Sequence, residues 1–255
     1  MHAILTGATG LVGSGVLDAM LKAADVTKIT ILSRRPVKMA EDAKDPRVNT
    51  IIHPDFERYG PDLISQLRGA SGVVWALGIS QSAVGSDEYI KITKTYALEA
   101  AKAFSDMARS TGEPFNFVYV SGEGATLEPG RFSPIFARVK GETEAELARM
   151  REENPLFRAN TVRPGAIDYT GHDAIKPYMP VQPLLNRAVL PAFRALLSSQ
   201  TTPTESLGRF LTDMAIGKWS DASKLAGSGV KPVGSSGFAI VHNSAVRRMM
   251  GLDKP

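Results

Sequence analysis

His2-Ala3-Ile4-Leu5-Thr6-Gly7-Ala8-Thr9-Gly10-Leu11-Val12-Gly13, the segment at the start of the chain, decides the fold. Its apolar run from Ala3 to Thr6 predicts a buried strand, and the apolar periodicity from Leu11 to Ala23 predicts a helix directly after it. Three glycines at intervals of three occupy the turn between the two elements. A glycine-rich turn between a strand and a helix is typical of a nucleotide-binding βα unit.

Each glycine of this turn has a separate physical role. Gly7 permits a tight turn, Gly10 lets the backbone approach a pyrophosphate, and Gly13 lets the helix pack closely on the strand. The helix N-terminus, with its free N–H groups, then faces the anion. The turn predicts a dinucleotide site that also includes three neighbouring residues, Thr9, Leu11 and Val12.

Strand-like and helix-like segments continue to alternate along the chain. The further predicted strands are Lys28 to Leu32, Asn49 to Ile52, Gly72 to Leu77, Asn116 to Ser121 and Arg158 to Arg163. The helices predicted between them are Leu63 to Leu67, Glu88 to Ala108 and Val139 to Glu153. Parallel strands need crossover connections, which helices supply. The pattern therefore predicts an α/β protein with a doubly wound parallel sheet.

The last third of the chain has a different texture. The segment from Asp168 to Thr204 is rich in proline, and Thr204 is predicted to cap a helix that runs through Ile216. A short strand at Phe238 to Val241 and a closing helix at Ser244 to Met250 follow. A length of 255 residues suits one large α/β domain. We predict a single domain, with a core over about 1–165 and an interleaved substrate-side lobe over 166–255.

Composition excludes several classes of site. The chain has no cysteine, so it forms no disulfide and has no cysteine nucleophile or metal ligand. A net charge of +4, without a basic cluster interleaved with aromatic residues, suits a polyanionic cofactor and argues against a nucleic-acid partner. The four histidines have no ligand-like spacing, which predicts no metal site: His2, His53, His172 and His242.

The sequence also predicts where the protein works. The first predicted strand begins at the start of the chain, which leaves no room for a targeting peptide, and no apolar run approaches the roughly 20 residues of a membrane span. We therefore expect a cytoplasmic protein. The segment Leu184 to Leu197 carries Arg187 and Arg194 among apolar residues. It is interpreted as a lid over the substrate cleft or, alternatively, as a membrane-surface or partner helix.

Two further motifs point to a family. Tyr119-Val120-Ser121-Gly122 ends the fifth predicted strand, and Lys140 begins a helix with Glu144 one turn later. With the glycine spacing, these motifs resemble the extended and atypical branches of the short-chain dehydrogenase/reductase superfamily. The resemblance is closest to the branch of Tat-interacting oxidoreductase-like proteins and small nucleoside-diphosphate-sugar epimerase relatives, and it covers about residues 1–165. It implies a Rossmann fold and an NAD(P)-dependent oxidoreductase.

The resemblance assigns further cofactor contacts. Ser33-Arg34-Arg35 replaces the acidic residue that reads the ribose 2′-hydroxyl of NAD, and an arginine there pairs with a 2′-phosphate, so NADP(H) is favoured over NAD(H). Asp55-Phe56 matches the segment that reads and covers the adenine. The loop beneath the adenosine ribose corresponds to Ala76, Leu77 and Gly78. The residues beside the nicotinamide correspond to Pro164, Gly165, Ala166 and Ile167.

The catalytic positions show one departure from the family. Ser121 corresponds to the serine that binds the substrate oxygen, and Lys140 to the lysine that binds the nicotinamide ribose. Four residues before Lys140, where the family has its proton-transferring tyrosine, this chain has Phe136. A phenyl ring transfers no proton, and loss of a general acid costs roughly 10² to 10⁴ in rate.

Three interpretations of Phe136 are open. The chain is an NADP-dependent oxidoreductase whose proton comes from a different group, with Tyr169 and Tyr178 as candidates because their loop is expected to cover the substrate. It is alternatively a silent, NADP(H)-responsive regulator that binds a partner, or a non-redox isomerase or cyclase that uses Ser121 and Lys140. Tyr119 shares a strand face with Ser121, but we expect it too deep in the sheet. The expected partner is a small-molecule substrate or none, and the family suggests a homodimer.

Overall fold

The computed structural model of the chain describes residues 1–179, 198–220 and 222–253. Its main sheet has eight strands in the order β3-β2-β1-β4-β5-β6-β10-β9, and all neighbours pair in parallel except β10 and β9. The strands are β1 (His2–Thr6), β2 (Lys28–Ser33), β3 (Val48–Ile52), β4 (Ala70–Trp75), β5 (Phe115–Val120), β6 (Phe157–Arg163), β7 (Ala166–Asp168), β8 (Thr201–Pro203), β9 (Val230–Val233) and β10 (Phe238–His242). Strands β7 and β8 form a separate parallel pair. This architecture confirms the predicted doubly wound α/β fold.

Helices connect the strands on both faces of the sheet. Their bounds are α1 (Leu11–Lys22), α2 (Lys38–Ala43), α3 (Pro61–Leu67), α4 (Ser86–Ile90), α5 (Tyr96–Thr111), α6 (Ile135–Glu153), α7 (Thr204–Ala215), α8 (Ala222–Leu225) and α9 (Asn243–Met249). Strand β1 is central and every residue in it is buried, because both of its faces are covered. Its alternating side chains divide the core, with Leu5 in a cluster with α1 and α7, and Ile4 in a cluster with α5.

The helices α1 and α7 lie in close contact on one face of the sheet, at a point where both carry glycine. A Cβ atom at Gly208 would lie 2.2 Å from the carbonyl oxygen of Gly15, and a Cβ at Gly15 would lie 2.9 Å from that of Thr204. The atoms that each Cβ would meet belong to the backbone, so no rotation of a side chain could relieve the contact. Residues from the last third of the chain therefore complete the layer that covers the first βα unit.

The observed elements differ from the predicted ones at several ends. Strand β4 ends at Trp75, which leaves Ala76 to Gly78 in a loop. The predicted helix Glu88 to Ala108 is divided by a π-helical turn at Lys91–Thr95, and Pro203 rather than Thr204 occupies the N-cap of α7. The Thr204 hydroxyl instead contacts Nδ1 of His172 at 3.0 Å.

Three short strands were missed, and one predicted segment is not described. β7 and β8 have three residues each and β9 has four, which is too short for an alternating pattern. The segment Leu184 to Leu197 lies outside the described residues. Within 166–253, β10 joins the main sheet beside β6, while β7 and β8 pair outside it.

The contact between α1 and α7 gives a stability prediction. Substituting Gly208→Ala should lower the free energy of unfolding by about 1–3 kcal/mol, because the overpacked Cβ meets a backbone carbonyl. The gain in helix propensity, about 1 kcal/mol, is too small to offset a contact of this kind. Urea denaturation measures the difference. Gly171→Ala is the control, since no atom lies within 4 Å of its Cβ position, and equal losses in both variants would contradict the prediction.

Candidate dinucleotide and catalytic site

The glycine turn after β1 depends on two close backbone approaches. Gly7 has a φ of +71°, and a Cβ there would lie 2.3 Å from the carbonyl oxygen of Ala76. A Cβ at Gly13 would lie 2.0 Å from the carbonyl oxygen of Gly7. At Gly10 the nearest atom to a Cβ would be 3.3 Å away, so this glycine is not required by internal packing alone. Gly7 and Gly13 thus shape the turn, and Gly10 leaves room in front of it.

The N-terminus of α1 lies at this open position. Gly10 is the N-cap residue and no side chain caps the helix. The N–H of Ser14 is the first to bond within the helix, to the carbonyl oxygen of Gly10 at 2.9 Å. The N–H groups of the first turn, at Leu11 and Val12, therefore point out of the helix, where the helix dipole favours an anion. Thr9, Leu11 and Val12 are all half-buried around this opening.

The end of β2 presents two arginines to solvent. Ser33 is buried, its hydroxyl donates to the carbonyl oxygen of Arg35 at 2.6 Å, and it accepts from the Arg35 N–H at 3.3 Å. This serine turn directs the chain so that Arg34 and Arg35 are both exposed. Neither guanidinium has an ion pair within the described part of the chain. Both are free to bind a phosphate.

The predicted adenine contacts behave differently from one another. Asp55 is exposed and accepts the N–H of Glu57 at 3.0 Å. Phe56 is fully buried, and its ring packs edge-on against Trp75 at a centroid distance of 5.8 Å. In this arrangement the Phe56 ring belongs to the core, so it cannot also cover an adenine. The backbone of the loop Ala76 to Gly78 remains near Gly7, as the contact with Ala76 shows.

Ser121 and Lys140 meet at the carboxyl end of β5. The Lys140 ammonium donates to the carbonyl oxygen of Ser121 at 2.6 Å and lies 3.5 Å from that of Val120. Burial lowers the pKa of Lys140 to about 8, against a smaller raising effect from Glu144. The Ser121 side chain is buried, and its Oγ has no hydrogen-bond partner. A buried hydroxyl without a partner is costly, so the Ser121 Oγ has hydrogen-bonding capacity left for a ligand oxygen.

Phe136 lies one helical turn before Lys140, since α6 begins at Ile135, four residues earlier than predicted. The ring tip, Cζ, lies 3.3 Å from the Cβ position of Gly124, and the Phe136 N–H donates to Gln81 Oε1 at 3.2 Å. Lys140 Nζ lies 3.8 Å from the Cβ position of Gly122 in the same loop. The phenyl ring therefore borders the loop that carries Ser121, where the family resemblance places the tyrosine.

A buried ion pair fixes helix α6 to the sheet. Glu144 is fully buried, one turn beyond Lys140, and Arg163 at the end of β6 is nearly so. Arg163 donates to both carboxylate oxygens, through Nε at 3.0 Å and Nη2 at 2.5 Å. This two-point contact sets the rotation of α6 about its axis. Sequence reasoning noted both residues separately, but it did not pair them.

The segment after Arg163 is held by backbone contacts. The Gly165 N–H donates to Thr202 Oγ1 at 2.9 Å, and a Cβ at Gly165 would lie 2.1 Å from the Gln200 carbonyl oxygen. Pro164 is buried, whereas Ala166 is exposed and Ile167 half-buried in β7. Ala166 and Ile167 thus lie at the border of the site in extended conformation.

The two tyrosines proposed as proton donors are differently placed. The Tyr178 hydroxyl donates to Asp42 Oδ2 at 3.0 Å, which raises the pKa of this hydroxyl. Asp42 belongs to α2, which follows β2 and its arginines, so Tyr178 lies on that side of the protein and not beside Lys140. The prediction that Tyr178 faces the substrate is therefore not supported. Tyr169 is half-buried against the apolar cluster of α1.

The described part of the chain has neither a cluster of metal ligands nor a helix that could span a membrane. Over 1–179, 198–220 and 222–253, no group of three or more histidine, aspartate or glutamate residues is arranged to hold a metal ion. Among the helices of these ranges, none is both long and apolar enough to cross a membrane.

Comparison with curated proteins places the chain. No family model matches it. Leucinostatins biosynthesis cluster protein T of Purpureocillium lilacinum is 36% identical over 257 residues, covering 92% of this chain and 91% of the relative. The chain belongs to the same family as this fungal protein. Botcinic acid biosynthesis cluster B protein 16 of Botryotinia fuckeliana is 46% identical over 160 residues, 61% of this chain and 99% of the relative. Protein fmp52, mitochondrial, of Emericella nidulans is 32% identical over 164 residues, 64% and 65% of the two chains.

Solved structures give the fold of this family. The ligand-free aldohexose dehydrogenase of Thermoplasma acidophilum superposes with a TM-score of 0.65 at 16% identity, over 100% of this chain and 95% of that one. L-sorbose reductase of Gluconobacter frateurii, complexed with NADPH and L-sorbose, gives a TM-score of 0.61 at 15% identity, over 86% and 91%. The chain thus shares the fold of these dehydrogenase and reductase structures, which confirms the Rossmann fold that the resemblance implies.

The ion pair between Arg163 and Glu144 gives a second stability prediction. Glu144→Gln should lower the free energy of unfolding by about 3–5 kcal/mol, because it leaves a buried guanidinium without its counter-charge. Thermal and urea denaturation measure the loss. Glu146→Gln on the same helix removes an exposed pair with Arg149 and should cost at most about 1 kcal/mol. Similar losses in the two variants would show that the buried pair contributes no more to the free energy of unfolding than the exposed pair does.

Proposed function

We propose that the protein is an NADP(H)-dependent oxidoreductase acting on a small carbonyl or hydroxyl compound, with a proton donor other than the usual tyrosine. The observation that supports this most is the buried Ser121 hydroxyl, which has no partner and belongs to the residue whose carbonyl oxygen accepts from the Lys140 ammonium. Together they provide a buried hydroxyl and a buried ammonium at the carboxyl end of β5. Such a site stabilises negative charge on a substrate oxygen.

The residues present fit a dinucleotide. The open backbone at Gly10 and the free N–H groups of the first turn of α1 would hold the pyrophosphate. Lys140 would bind the hydroxyls of the nicotinamide ribose, as the resemblance implies, and Gly165 to Ile167 would border the nicotinamide. A bound reduced dinucleotide would supply hydride to a carbonyl carbon. Ser121 and Lys140 would hold the oxygen of that carbonyl as its charge develops.

The preference for NADP(H) is supported by the end of β2. Arg34 and Arg35 are exposed and have no ion pair with a described residue, and the turn residue before them is a serine, not a carboxylate. A guanidinium pairs with a 2′-phosphate and stacks on an adenine. The structural neighbour from Gluconobacter frateurii was solved with NADPH.

The names of the relatives bear on the kind of substrate and on whether the protein is cytoplasmic or mitochondrial. Two of them are named as biosynthesis cluster proteins, which favours a small-molecule intermediate as the substrate. We propose the cytoplasm as the compartment, although one relative is named as mitochondrial, and imaging of the tagged full-length protein separates the two. A homodimer, as in many proteins of this fold, remains our proposal for the assembly.

Arg34 provides the test of cofactor choice. Arg34→Glu should weaken NADPH binding by about 100-fold or more, because a carboxylate repels the 2′-phosphate. The variant should then bind NADPH and NADH with similar affinity. Fluorescence titration of both cofactors measures the change. Arg68→Glu places the same charge on an exposed residue at the opposite edge of the sheet and should leave both affinities unchanged. Unchanged NADPH binding in Arg34→Glu would remove the basis for the NADP preference.

Lys140 predicts a pH dependence with two opposite signs. Turnover should fall as the pH rises through about 8, since the ammonium is then lost. In the unfolded chain this lysine titrates near 10.5, so between about pH 8 and 10.5 the unfolded state binds more protons, and folding stability should rise with pH. The pH–rate profile and denaturation at matched pH values measure the two effects. Lys140→Arg should remove the part of the alkaline fall that the ammonium causes, because guanidinium stays charged; a pH–rate profile identical to that of the wild type would assign the whole fall to another group.

Turnover itself tests the proposed function. The wild-type protein should oxidise NADPH with at least one member of a panel of aldehydes and ketones. Phe136→Tyr should raise that rate by less than about tenfold, because a general acid worth roughly 10² to 10⁴ is already present. Tight NADPH binding without any turnover would instead indicate the silent regulator, and conversion of a compound without NADPH consumption would indicate an isomerase or cyclase.

A further inference from the structure

Three neighbouring strand ends form one row at the carboxyl edge of the sheet. Val120 of β5 pairs with Val162 of β6, and Arg163 of β6 pairs with His242 of β10. The Ser121 N–H continues the ladder, donating to the Val162 carbonyl oxygen at 2.8 Å. Ser121, Arg163 and His242 are therefore successive members of the row. The Cα atoms of its two ends are about 10 Å apart, which is two interstrand spacings.

The side chains of this row point to the face of the sheet that α6 covers. In a parallel sheet, residues in register point to the same side. Arg163 reaches Glu144 of α6, and the residues two positions before Ser121 and His242, Tyr119 and Ile240, belong to the apolar cluster that α6 shares. His242 is thus directed to the same side of the sheet as Ser121, Lys140 and the ring of Phe136.

Glu123 connects His242 to the catalytic loop. Glu123 lies between Gly122, which faces the Lys140 ammonium, and Gly124, which faces the tip of Phe136. Its carboxylate contacts His242 Nδ1 at 3.1 and 3.2 Å and accepts the Asn243 N–H at 2.8 Å. Its own N–H donates to the Pro164 carbonyl oxygen at 3.0 Å. The Asn243 N–H holds the Glu123 carboxylate, and the Pro164 carbonyl oxygen holds the Glu123 backbone. The position of the carboxylate is therefore fixed independently of the imidazole.

A carboxylate on Nδ1 determines what the other ring nitrogen can do. It holds the proton of neutral imidazole on Nδ1 and leaves Nε2 as a base, or as a donor when the ring is charged. Nε2 has no hydrogen-bond partner among the described residues, and 29% of the His242 side chain is exposed. Imidazole with this orientation is the side chain most often used for proton transfer.

The geometry points to His242, oriented by Glu123, as the proton-transferring residue that replaces the missing phenol of Phe136. This inference rests on the proposed reductase function. A bound reduced dinucleotide would supply hydride to the carbonyl carbon, and the electron pair of the C=O bond would move to the oxygen held by Ser121 and Lys140. The oxygen takes a proton from His242 Nε2 through one bridging water, so that the carbonyl becomes an alcohol. Solvent returns the proton to the imidazole.

Of the three tyrosines considered above, Tyr169 packs against the apolar cluster of α1, and the other two have hydroxyls that are already engaged. The Tyr119 hydroxyl lies inside the sheet layer and contacts the Thr93 carbonyl oxygen at 3.3 Å, and burial raises its pKa far above the usual range. The Tyr178 hydroxyl is bound to Asp42. His242 differs from both, because it combines partial exposure, a fixed tautomer and a position on the catalytic face.

Chemical rescue tests the assignment. On a panel aldehyde that the wild type reduces, His242→Ala should lower kcat by about 100-fold or more while the Kd for NADPH stays within about twofold. Added imidazole should restore a large part of the lost rate, which it would not do for a purely structural role. Glu123→Gln should lower kcat by about 10-fold, because the ring loses its orienting carboxylate. His2→Gln is the control at the opposite edge of the sheet and should keep wild-type kcat.

The outcomes separate this inference from the proposed function. If the wild type reduces no carbonyl in the panel, the reductase proposal fails, and the role of His242 fails with it. If the wild type is active and His242→Ala retains its kcat, the reductase stands and the inference is wrong. A loss of kcat that imidazole leaves unrepaired, in a variant with normal NADPH binding, likewise overturns the inference.

Discussion

The close approach of three backbone segments around Gly7 sets the geometry on which the rest of the site depends. The Gly7 carbonyl oxygen touches Gly13, and the Ala76 carbonyl oxygen touches Gly7, at distances that no side chain would permit. This contact fixes the direction of α1 relative to β1 and places the loop after β4 beside the glycine turn. The N-terminus of α1 and the ends of β4 and β5 then share one edge of the sheet. A single methyl group at Gly7 or Gly13 would separate them.

Sequence alone predicted the features that are local. The glycine turn, the fold class and most of the long elements follow from periodicity and from spacing over a few residues. The contacts that give the site its chemistry are not local. Glu144 and Arg163 were both visible, but only the packing of α6 on β6 makes them a pair. Glu123 and His242 are separated by 119 positions. The available signal was His242 itself, directly after a predicted strand and therefore at a sheet edge.

Burial was the other quantity that the sequence could not supply. Phe56 follows Asp55 in a family-like motif, yet its ring is part of the aromatic core around Trp75. Tyr178 lies in the proline-rich segment after Gly165, which was expected to cover the substrate, but its hydroxyl is bound on the side of α2. In both cases a residue type was correct for the proposed role, and the direction of its side chain was not. The substitution at Phe136 is different, because the ring occupies the expected position and lacks one atom.

The crossing of α1 and α7 at Gly15 and Gly208 has a consequence for how the chain folds. Helix α1 is synthesised well before its partner helix α7, which follows it by about 190 residues in the chain. Until then, the apolar surface of α1 and of the central strands that α7 covers in the folded protein is exposed. This surface can bind other molecules. Contacts between such distant segments slow folding. We therefore expect the nascent chain to depend on chaperones until α7 has been synthesised.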